Sequence, residues 1–215
     1  MTAEPPPATP PVVVVEGLDG AGKTTLARGL AGALEAQGLA CRWDRLARAS
    51  VGIYRRLTEH PDQPALMHQT LVPGPFRHLM YVTEAVAQFG YRAEAYAAFD
   101  VLVFDRWLET YPVYCSPEPA YPDLAAQLAA QVPRPAATVY LTVPPEVAFA
   151  RLVARGDPWH RAFGDTELLR RLQAFGARYD ALFAARPDAV TVDGLLSEDE
   201  VLAKALDAVT ARLPC

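Results

Sequence analysis

Short runs of β-branched and aromatic residues recur along the chain without the polar alternation of half-exposed strands. They occupy residues 12–15, 101–104, 139–143 and 189–192, and a further short strand is predicted near residues 40–43. Runs that are apolar at every position are typical of strands buried on both faces, as in a parallel sheet covered by helices. The pattern therefore predicts an α/β fold with a central parallel sheet of about five strands.

Between these strands, apolar residues recur with the period of amphipathic helices. Gly38 ends the first helix, Pro144 and Pro145 open a later one, and residues 197–200 form a capping box before the last. The segment 50–75 contains four prolines and is the least regular, which suggests a mobile flap over a site. Helices are predicted over residues 23–37, 76–99, 121–131, 146–155, 166–185 and 198–213.

Composition and charge narrow the class of protein. With 215 residues, 51% of them apolar, we expect one domain over residues 12–215, preceded by a Pro-rich disordered leader over residues 1–11. Asp and Glu outnumber Lys and Arg by 25 to 20, which argues against nucleic acid or an anionic membrane as partner. The three cysteines are widely spaced, which indicates neither a disulfide framework nor a zinc site and suits a reducing cytoplasm. The expected ligand is a small molecule.

The strongest chemical signal is the segment GLDGAGKT from Gly17 to Thr24. It matches the phosphate-loop pattern GxxxxGK[ST] directly after a predicted strand and directly before a predicted helix. Such a loop points backbone N–H groups at phosphate oxygens, and the helix adds the positive end of its dipole. Lys23 is expected to hold the β- and γ-phosphates of ATP, and the hydroxyl of Thr24 to reach Mg²⁺. The predicted ATP-binding residues here are Gly17, Gly20, Ala21, Gly22, Lys23, Thr24 and Thr25.

A charged pair, Asp105 and Arg106, directly follows the predicted strand 101–104. Ligands of open α/β sheets bind outside the carboxyl ends of strands, so we expect this pair beside the phosphate loop. Asp105 can hold Mg²⁺ or its water shell there, and the planar guanidinium of Arg106 can bridge donor and acceptor phosphates. A structural ion pair at the strand end is the alternative interpretation.

Three arginines, Arg151, Arg155 and Arg161, surround a Gly- and Pro-containing loop at the end of a predicted helix. Phosphoryl transfer needs positive charge around the equatorial oxygens, and a mobile loop can deliver it once both substrates are bound. Arg155 and Arg161 are therefore candidate catalytic residues, and Arg151 is a candidate ATP-binding residue. The alternative is that these arginines are simply solvated on a helix surface.

Segments along most of the chain resemble the thymidylate kinase family. Residues 16–25, EGLDGAGKTT, resemble its phosphate loop, which places an acidic residue third in the motif, here Asp19. The resemblance implies a P-loop, three-layer fold of the nucleoside monophosphate kinase type with a lid. It also implies ATP- and Mg²⁺-dependent phosphoryl transfer, with dTMP as the favoured acceptor and a homodimer as an expected assembly. The other segments that carry the likeness are 105–110 with Tyr114, 141–156, Arg178-Tyr179 and Asp193.

The resemblance also implies roles for single residues. Asp19 would contact the sugar 3′-hydroxyl and orient Arg106, which would bind the acceptor phosphate. Tyr81 would stack on the base, and Tyr179 would lie against the nucleoside. Because Gly20-Ala21 leaves no arginine in the phosphate loop, the catalytic guanidinium would come from the lid, as in bacterial-type members. The implied sets are Lys23, Arg106, Arg155 and Arg161 for catalysis, Asp19, Tyr81, Asp105, Arg106, Tyr114 and Tyr179 for the acceptor, and Thr24 and Asp105 for the metal.

Three departures from the family pattern fall on the acceptor side. Residues 43–48, WDRLAR, replace an Arg-Glu-Pro-Gly-Gly-Thr stretch; Ala85 replaces an arginine that reads the thymine edge; and Cys115 replaces a glutamine. A site that loses hydrogen-bonding partners for a base changes its discrimination. A kinase for a nucleoside or another nucleotide, and a nucleotide-binding paralogue without efficient transfer, therefore remain alternatives. A GTPase switch is disfavoured because the chain has no Asn for the guanine-reading motif.

Overall fold

The computed structural model describes residues 8–57 and 72–213 and contains a five-stranded, all-parallel sheet. Its order is β2-β3-β1-β4-β5, so that β1 lies in the centre. All five predicted strands are confirmed. Their bounds are β1 (Val12–Gly17), β2 (Cys41–Asp44), β3 (Val101–Asp105), β4 (Ala137–Thr142) and β5 (Val190–Asp193).

Helices cover both faces of this sheet, which confirms the predicted α/β class. Val13 and Val15 of β1 belong to an apolar core shared with the helices on one face, and Val12 and Val14 belong to a core on the other. Successive strand residues point to opposite faces, so a strand that is apolar throughout supplies both cores. The helices are α1 (Lys23–Ala36), α2 (Ala49–Leu57), α3 (Gly74–Tyr96), α4 (Thr110–Tyr114), α5 (Pro122–Ala129), α6 (Pro145–Ala154), α7 (Pro158–Ala184) and α8 (Glu198–Thr210).

Three local predictions differ from the structure. Helix α7 contains a kink at Gly164 (φ +68°): the part after the kink matches the helix predicted over residues 166–185, and the part that begins at Pro158, where Asp157 accepts the N–H of Trp159 at 2.9 Å, was not predicted. The short α4 was not predicted, and α2 occupies part of the segment expected to be irregular. Residues 58–71 of the proposed flap and residues 1–7 of the proposed leader lie outside the described residues. Among the described helices, none is long and apolar enough to cross a membrane.

The parallel strands bring distant chain segments together at one edge. The carboxyl ends of β1 and β3 lead directly into the phosphate loop and into Asp105-Arg106, and these strands are neighbours. The loop after β4 leads into α6, which carries Arg151. The predicted phosphate-binding residues therefore gather at the position where ligands of open α/β sheets bind.

Candidate active site

The phosphate loop between β1 and α1 has a left-handed backbone at two glycines. Gly20 has φ +89° and Gly22 has φ +103°, values that residues with a side chain rarely adopt. A Cβ at Gly20 would lie 2.5 Å from the carbonyl oxygen of Ala148 in α6. Gly20 therefore permits both the curl of the loop and its close packing against the helix that carries Arg151.

Lys23 is the first residue of α1, and its side chain is buried. Its Nζ donates to the carbonyl oxygen of Leu18 at 2.5 Å and lies 3.9 Å from Asp19 Oδ1. Burial lowers the pKa of Lys23 to about 8, and the nearby charge of Arg106 acts in the same direction. A phosphate group in the loop would give this ammonium a full anionic partner and so favour its charged form.

Thr24 and Asp105 form the oxygen pair expected to hold the metal. Thr24 Oγ1 donates to Asp105 Oδ2 at 2.6 Å, and Asp105 Oδ1 is buried without a hydrogen-bond partner in the described part of the chain. Burial opposes ionisation, but the charge of Lys23 and the hydrogen bond from Thr24 hold the pKa of Asp105 below its usual value. Mg²⁺ prefers hydroxyl and carboxylate oxygens, and an unpartnered carboxylate oxygen suits a metal-bound water. These residues fit Mg²⁺.

Arg45, directly after β2, binds the same oxygens of Thr24 and Asp105 that would hold the metal. Its Nε donates to Asp105 Oδ2 at 2.9 Å, and its Nη2 donates to Thr24 Oγ1 at 2.5 Å. The Arg45 side chain is 52% exposed, so it has room to turn away. Binding of Mg²⁺ at Thr24 and Asp105 would displace this guanidinium into the adjoining cavity. The sequence offered Arg45, with Arg48, only as a possible replacement for the missing base or phosphate contacts and not as a metal-site neighbour; its place directly after a strand at the ligand-binding edge is the signal that points to the latter.

Arg106 follows β3 and points its guanidinium at Asp19 of the phosphate loop, with which it forms an ion pair. Its φ of +80° is left-handed, which costs a residue with a side chain about 1–3 kcal/mol. The guanidinium lies 4.8 Å from the ring centroid of Tyr114, and the hydroxyl of Tyr114 accepts the N–H of Asp19 at 3.0 Å. Burial opposes ionisation of Asp19, but the charges of Arg106 and Lys23 hold its pKa well below its usual range. Asp19, Arg106 and Tyr114 thus form one contact group.

These groups line a cavity of about 350 Å³ between the phosphate loop and the ends of β1 and β3. Cationic side chains outnumber carboxylates on its wall, so the cavity attracts anions. This excess of positive charge is larger than Lys23 alone would supply for binding the phosphates of ATP. Its charged lining residues are Lys23, Arg45, Arg48, Arg106 and Arg155, with Asp19 and Asp105.

A second cavity, of about 450 Å³, lies on the other side of the phosphate loop. Arg151 borders it and donates to the carbonyl oxygens of Ala21 at 3.2 Å and of Gly194 at 3.1 Å. It therefore fastens the phosphate loop to the turn after β5. The cavity is lined by the loop, by α1, by that turn and by the start of α8: Gly20, Ala21, Gly22, Thr25, Leu26, Gly29, Leu141, Arg151, Arg155, Gly194, Leu196, Glu198, Asp199, Val201 and Leu202.

The two candidate lid arginines lie in different positions. Arg155, at the end of α6, borders both cavities and forms an ion pair with Asp157 at 2.6 Å. Arg161, in the first turn of α7, is exposed and borders neither cavity. The structure therefore places Arg155 at both cavities beside the phosphate loop, whereas a catalytic role of Arg161 would need the start of α7 to move.

Tyr81 of α3 is buried against Tyr111 of α4, with ring centroids 5.4 Å apart. Ala85, one turn further along α3, is fully buried in an apolar core. Arg77, one turn earlier, is only 7% exposed, and its Nε and Nη1 have no hydrogen-bond partner among the described residues. Within the described ranges, Oε2 of Glu84 and the hydroxyl of Tyr111 are also buried without a hydrogen-bond partner.

These unpartnered groups lie close enough to act on one another electrostatically. The charges of Arg77 and Glu84 both influence the pKa of Tyr81, which burial raises to about 12. Glu84 also influences the pKa of Tyr111, which burial raises. Residues 77, 81 and 84 share one helix face, so the period of α3 is the sequence signal that could have identified Arg77 and Glu84 beside Tyr81.

Tyr179 of α7 has no exposed surface. Its hydroxyl donates to Glu16 Oε2 at 2.8 Å and accepts from Arg106 Nη1 at 3.3 Å. In this structure its contact with the site therefore runs through Arg106. Glu16 is a residue to which sequence reasoning gave no role, although it directly precedes the phosphate loop.

The parallel sheet, the phosphate loop, the Thr24–Asp105 oxygen pair and the two adjoining cavities define a P-loop phosphotransferase. The family model for thymidylate kinase matches residues 15–205. The chain belongs to the thymidylate kinase family, whose members are nucleoside monophosphate kinases.

Individual relatives agree with this family. A thymidylate kinase of Xanthomonas campestris pv. campestris (strain B100) is 33% identical over 208 residues, which span 94% of this chain and 84% of that protein. One of Xanthomonas euvesicatoria pv. vesicatoria (strain 85-10) is 29% identical over 212 residues, with the same two shares. One of Xylella fastidiosa (strain 9a5c) is 28% identical over 209 residues, 92% of this chain and 89% of that protein.

Proposed function

We propose that the protein transfers the γ-phosphoryl group of ATP to dTMP, producing dTDP and ADP. The observation that carries this proposal is the cation excess of the 350 Å³ cavity beside the phosphate loop. An acceptor monophosphate brings a dianion next to the phosphates of ATP, and several guanidinium groups must offset that repulsion. A nucleoside acceptor brings no such charge, so it would give Arg45, Arg48 and Arg106 no acceptor phosphate to bind.

ATP would occupy the 450 Å³ cavity, with its phosphates in the loop and its base toward the turn after β5 and the start of α8. Thr24 and Asp105 would hold Mg²⁺, which would supply positive charge against the negative charge that develops on the transferred group. Lys23 would exchange the carbonyl of Leu18 for phosphate oxygens. Arg155 would supply charge from the lid side, since it borders both cavities.

Arg106 would hold the acceptor phosphate in line with the γ-phosphate. Asp19 forms an ion pair with Arg106 and so holds its guanidinium at the phosphate loop. Asp19 would also accept a hydrogen bond from the sugar hydroxyl. Arg45, displaced from Asp105 by the metal, would add a second guanidinium to the acceptor side. The nucleophile is an oxygen of the acceptor phosphate, which is largely ionised near neutral pH, so positioning and charge supply most of the catalysis.

The acceptor base would lie beside Tyr81, within reach of Arg77 and Glu84. An Arg donor next to a carboxylate acceptor complements a carbonyl oxygen next to a ring N–H, the edge that thymine presents. In the same ring orientation, adenine and cytosine would present an amino group to Arg77 and a bare ring nitrogen to Glu84, which would leave buried polar atoms unpaired. Arg77 and Glu84 would thus take over the base reading for which Ala85 has no side chain.

The deciding experiment is a screen that measures ADP release with ATP, Mg²⁺ and one acceptor at a time. The acceptors are dTMP, dUMP, dGMP, dCMP, dAMP and thymidine. We expect the highest kcat/KM with dTMP and little turnover with dAMP, dCMP or thymidine. Preference for thymidine would establish the nucleoside alternative, and ADP release independent of any acceptor would contradict both kinase assignments.

Two further expectations belong to this proposal. A cytoplasmic location accords with Cys41 and Cys115, which are both free thiols. A homodimer is one possible assembly of the chain, and sedimentation of the full chain at micromolar concentration tests it.

A further inference from the structure

Glu16 lies near the end of β1, directly before the phosphate loop, and is completely buried. It accepts hydrogen bonds from three groups in different elements. The backbone N–H of Trp107 donates to Oε1 at 2.6 Å, the hydroxyl of Thr110 donates at 2.9 Å to Oε2, and the hydroxyl of Tyr179 donates to Oε2 at 2.8 Å. Both carboxylate oxygens are therefore occupied by groups that surround Arg106.

The backbone of Arg106 is fastened on both sides to consecutive residues of β1. Its own N–H donates to the carbonyl oxygen of Val15 at 2.9 Å, and the next N–H, that of Trp107, donates to the Glu16 side chain. Between these two anchors Arg106 has φ +80°. A strained, left-handed residue persists only where the surroundings determine it, and here one of the two anchors is the Glu16 carboxylate.

The guanidinium of Arg106 is guided by the same network. Its Nη1 donates to Tyr179 Oη at 3.3 Å and to Thr110 Oγ1 at 3.4 Å, and both hydroxyls donate onward to Glu16. Because these hydroxyls donate their protons in hydrogen bonds to Glu16, their lone pairs are free to accept hydrogen bonds from Arg106. The opposite side of the guanidinium pairs with Asp19.

We propose that Glu16 is a positioning residue for phosphoryl transfer: through Trp107, Thr110 and Tyr179 it sets both the backbone conformation and the guanidinium direction of Arg106. This inference rests on the proposed function in one respect only, that Arg106 binds the acceptor phosphate. Glu16 itself touches no substrate. Its removal should therefore affect acceptor binding while leaving the ATP cavity intact.

A carboxylate at this position is unfavourable for stability alone. Burial raises the pKa of Glu16 to about 7, with Arg106 opposing and Glu109 adding to the shift, so the folded state holds the proton more tightly than the unfolded chain. Stability therefore falls as the pH rises from 4.5, the ordinary pKa of a Glu side chain, to about 7, and the full cost of the buried charge is present above that. The other titratable groups that face it are Lys23 of α1, Tyr111 of α4 and Tyr179 of α7.

The test is Glu16→Gln in the full chain at pH 8. The amide can still accept from Trp107, but an NH₂ donor takes the place of the Oε2 acceptor, so the Thr110 and Tyr179 hydroxyls lose the group that holds their protons away from Arg106 and their hold on its guanidinium weakens. We expect KM for dTMP to rise about tenfold, ATP affinity to stay within about twofold, and Tm to be equal to or above that of wild type. Tyr179→Phe removes one branch of the network and should shift KM in the same direction by less.

Glu109→Gln is the matched control, because it removes a neighbouring negative charge that pairs with Arg186 and touches neither Trp107 nor Tyr179. It should leave KM for dTMP unchanged. The proposal is overturned if Glu16→Gln binds dTMP like wild type, or if it lowers Tm and weakens ATP and dTMP equally, as a purely structural residue would.

A readout without any acceptor separates this inference from the proposed function. In nitrogen-15 NMR, the guanidinium N–H groups of Arg106 should exchange slowly with water in the wild type, because they are held by Tyr179, Thr110 and Asp19. Glu16→Gln should speed that exchange severalfold. Equal exchange in the two proteins contradicts the positioning role, whatever the acceptor screen reveals, whereas failure of the dTMP proposal appears in the wild-type screen itself.

Discussion

The two sides of the candidate active site, the donor side proposed for ATP and the acceptor side proposed for dTMP, are formed by different kinds of group. The donor side is mostly backbone: the phosphate loop, the turn after β5 and the first turn of α8 enclose a 450 Å³ cavity, with Arg151 bound to main-chain carbonyls. The acceptor side is mostly side chains that arrive from separate elements, such as Tyr81 from α3 and Arg106 after β3. A backbone cradle is insensitive to most substitutions, whereas a site built of side chains changes its ligand with one or two of them.

The departures from the family pattern follow this division. The phosphate loop has every residue of its motif, while Ala85, Cys115 and residues 43–48 differ on the acceptor side. Arg45 and Arg77 are well placed to compensate, since one borders the phosphate cavity and the other lies buried beside Tyr81. Substitutions that affect one side and spare the other test this division.

The largest effect is expected for Lys23→Ala, because Lys23 supplies the charge at the junction of the two sides. Removing it should lower kcat about 10²–10³-fold while the fold persists, since the loop geometry depends on glycines and strand pairing. Steady-state turnover with ATP and dTMP measures the change, and circular dichroism verifies folding. Lys204→Ala, in the only other lysine of the chain, is the control and should behave like wild type. Unchanged turnover in Lys23→Ala would refute the phosphate-loop assignment.

Arg106→Ala should weaken binding on the acceptor side while sparing binding on the donor side. Loss of the guanidinium leaves the acceptor dianion poorly paired, so dTMP binding should weaken by about 2–4 kcal/mol, while ATP affinity changes little. Calorimetric titration of dTMP and of thymidine, with an ATP analogue present, measures both. Thymidine has no phosphate to lose, so its affinity should hardly change.

Arg170→Ala serves as the matched control for Arg106→Ala. Arg170 lies on α7 and pairs with Glu167 at the surface, away from both cavities, so its removal should leave dTMP binding unaltered. If Arg106→Ala binds dTMP as tightly as wild type does, Arg106 is not the acceptor-phosphate ligand, and Arg45 or Arg48 becomes the first candidate.

The sheet and the phosphate loop could be predicted from the sequence because their signals are contiguous. Each buried strand is a short apolar run, and the loop is a motif whose glycines and Lys23 follow one another directly. The start of α7 was predicted too late, because Gly164, with φ +68°, interrupts the helix and hides the period of its first turns.

The network around Arg106 could not be predicted in the same way. Glu16, Thr110 and Tyr179 are separated by up to 163 positions in the chain, and their contacts depend on how α7 packs against β1. Nor does local sequence indicate that Arg77 is buried with two nitrogens that find no hydrogen-bond partner among the residues that the structure describes, since that depends on the packing around α3. Side-chain sites assembled across elements carry no contiguous signal, which is why the acceptor side was the less predictable one.

The smallest effects are expected at the lid. Arg155 is 55% exposed and shares its charge with Asp157, so solvent and that carboxylate screen it, and Arg155→Ala should lower kcat about five- to tenfold with ATP affinity nearly unchanged. Arg161 borders neither cavity here, so Arg161→Ala should lower kcat only if the start of α7 closes over bound substrates.

Single-turnover rates at saturating ATP and dTMP measure the effect of both substitutions, with Arg170→Ala as the control on the same helix as Arg161. If the double variant Arg155→Ala/Arg161→Ala has a lower single-turnover rate than Arg155→Ala, Arg161 contributes to catalysis in the closed complex. If the two rates are equal, Arg155 is the lid arginine that contributes. Full kcat in both single variants would mean that the acceptor-side arginines alone supply the charge and that the lid assignment is wrong.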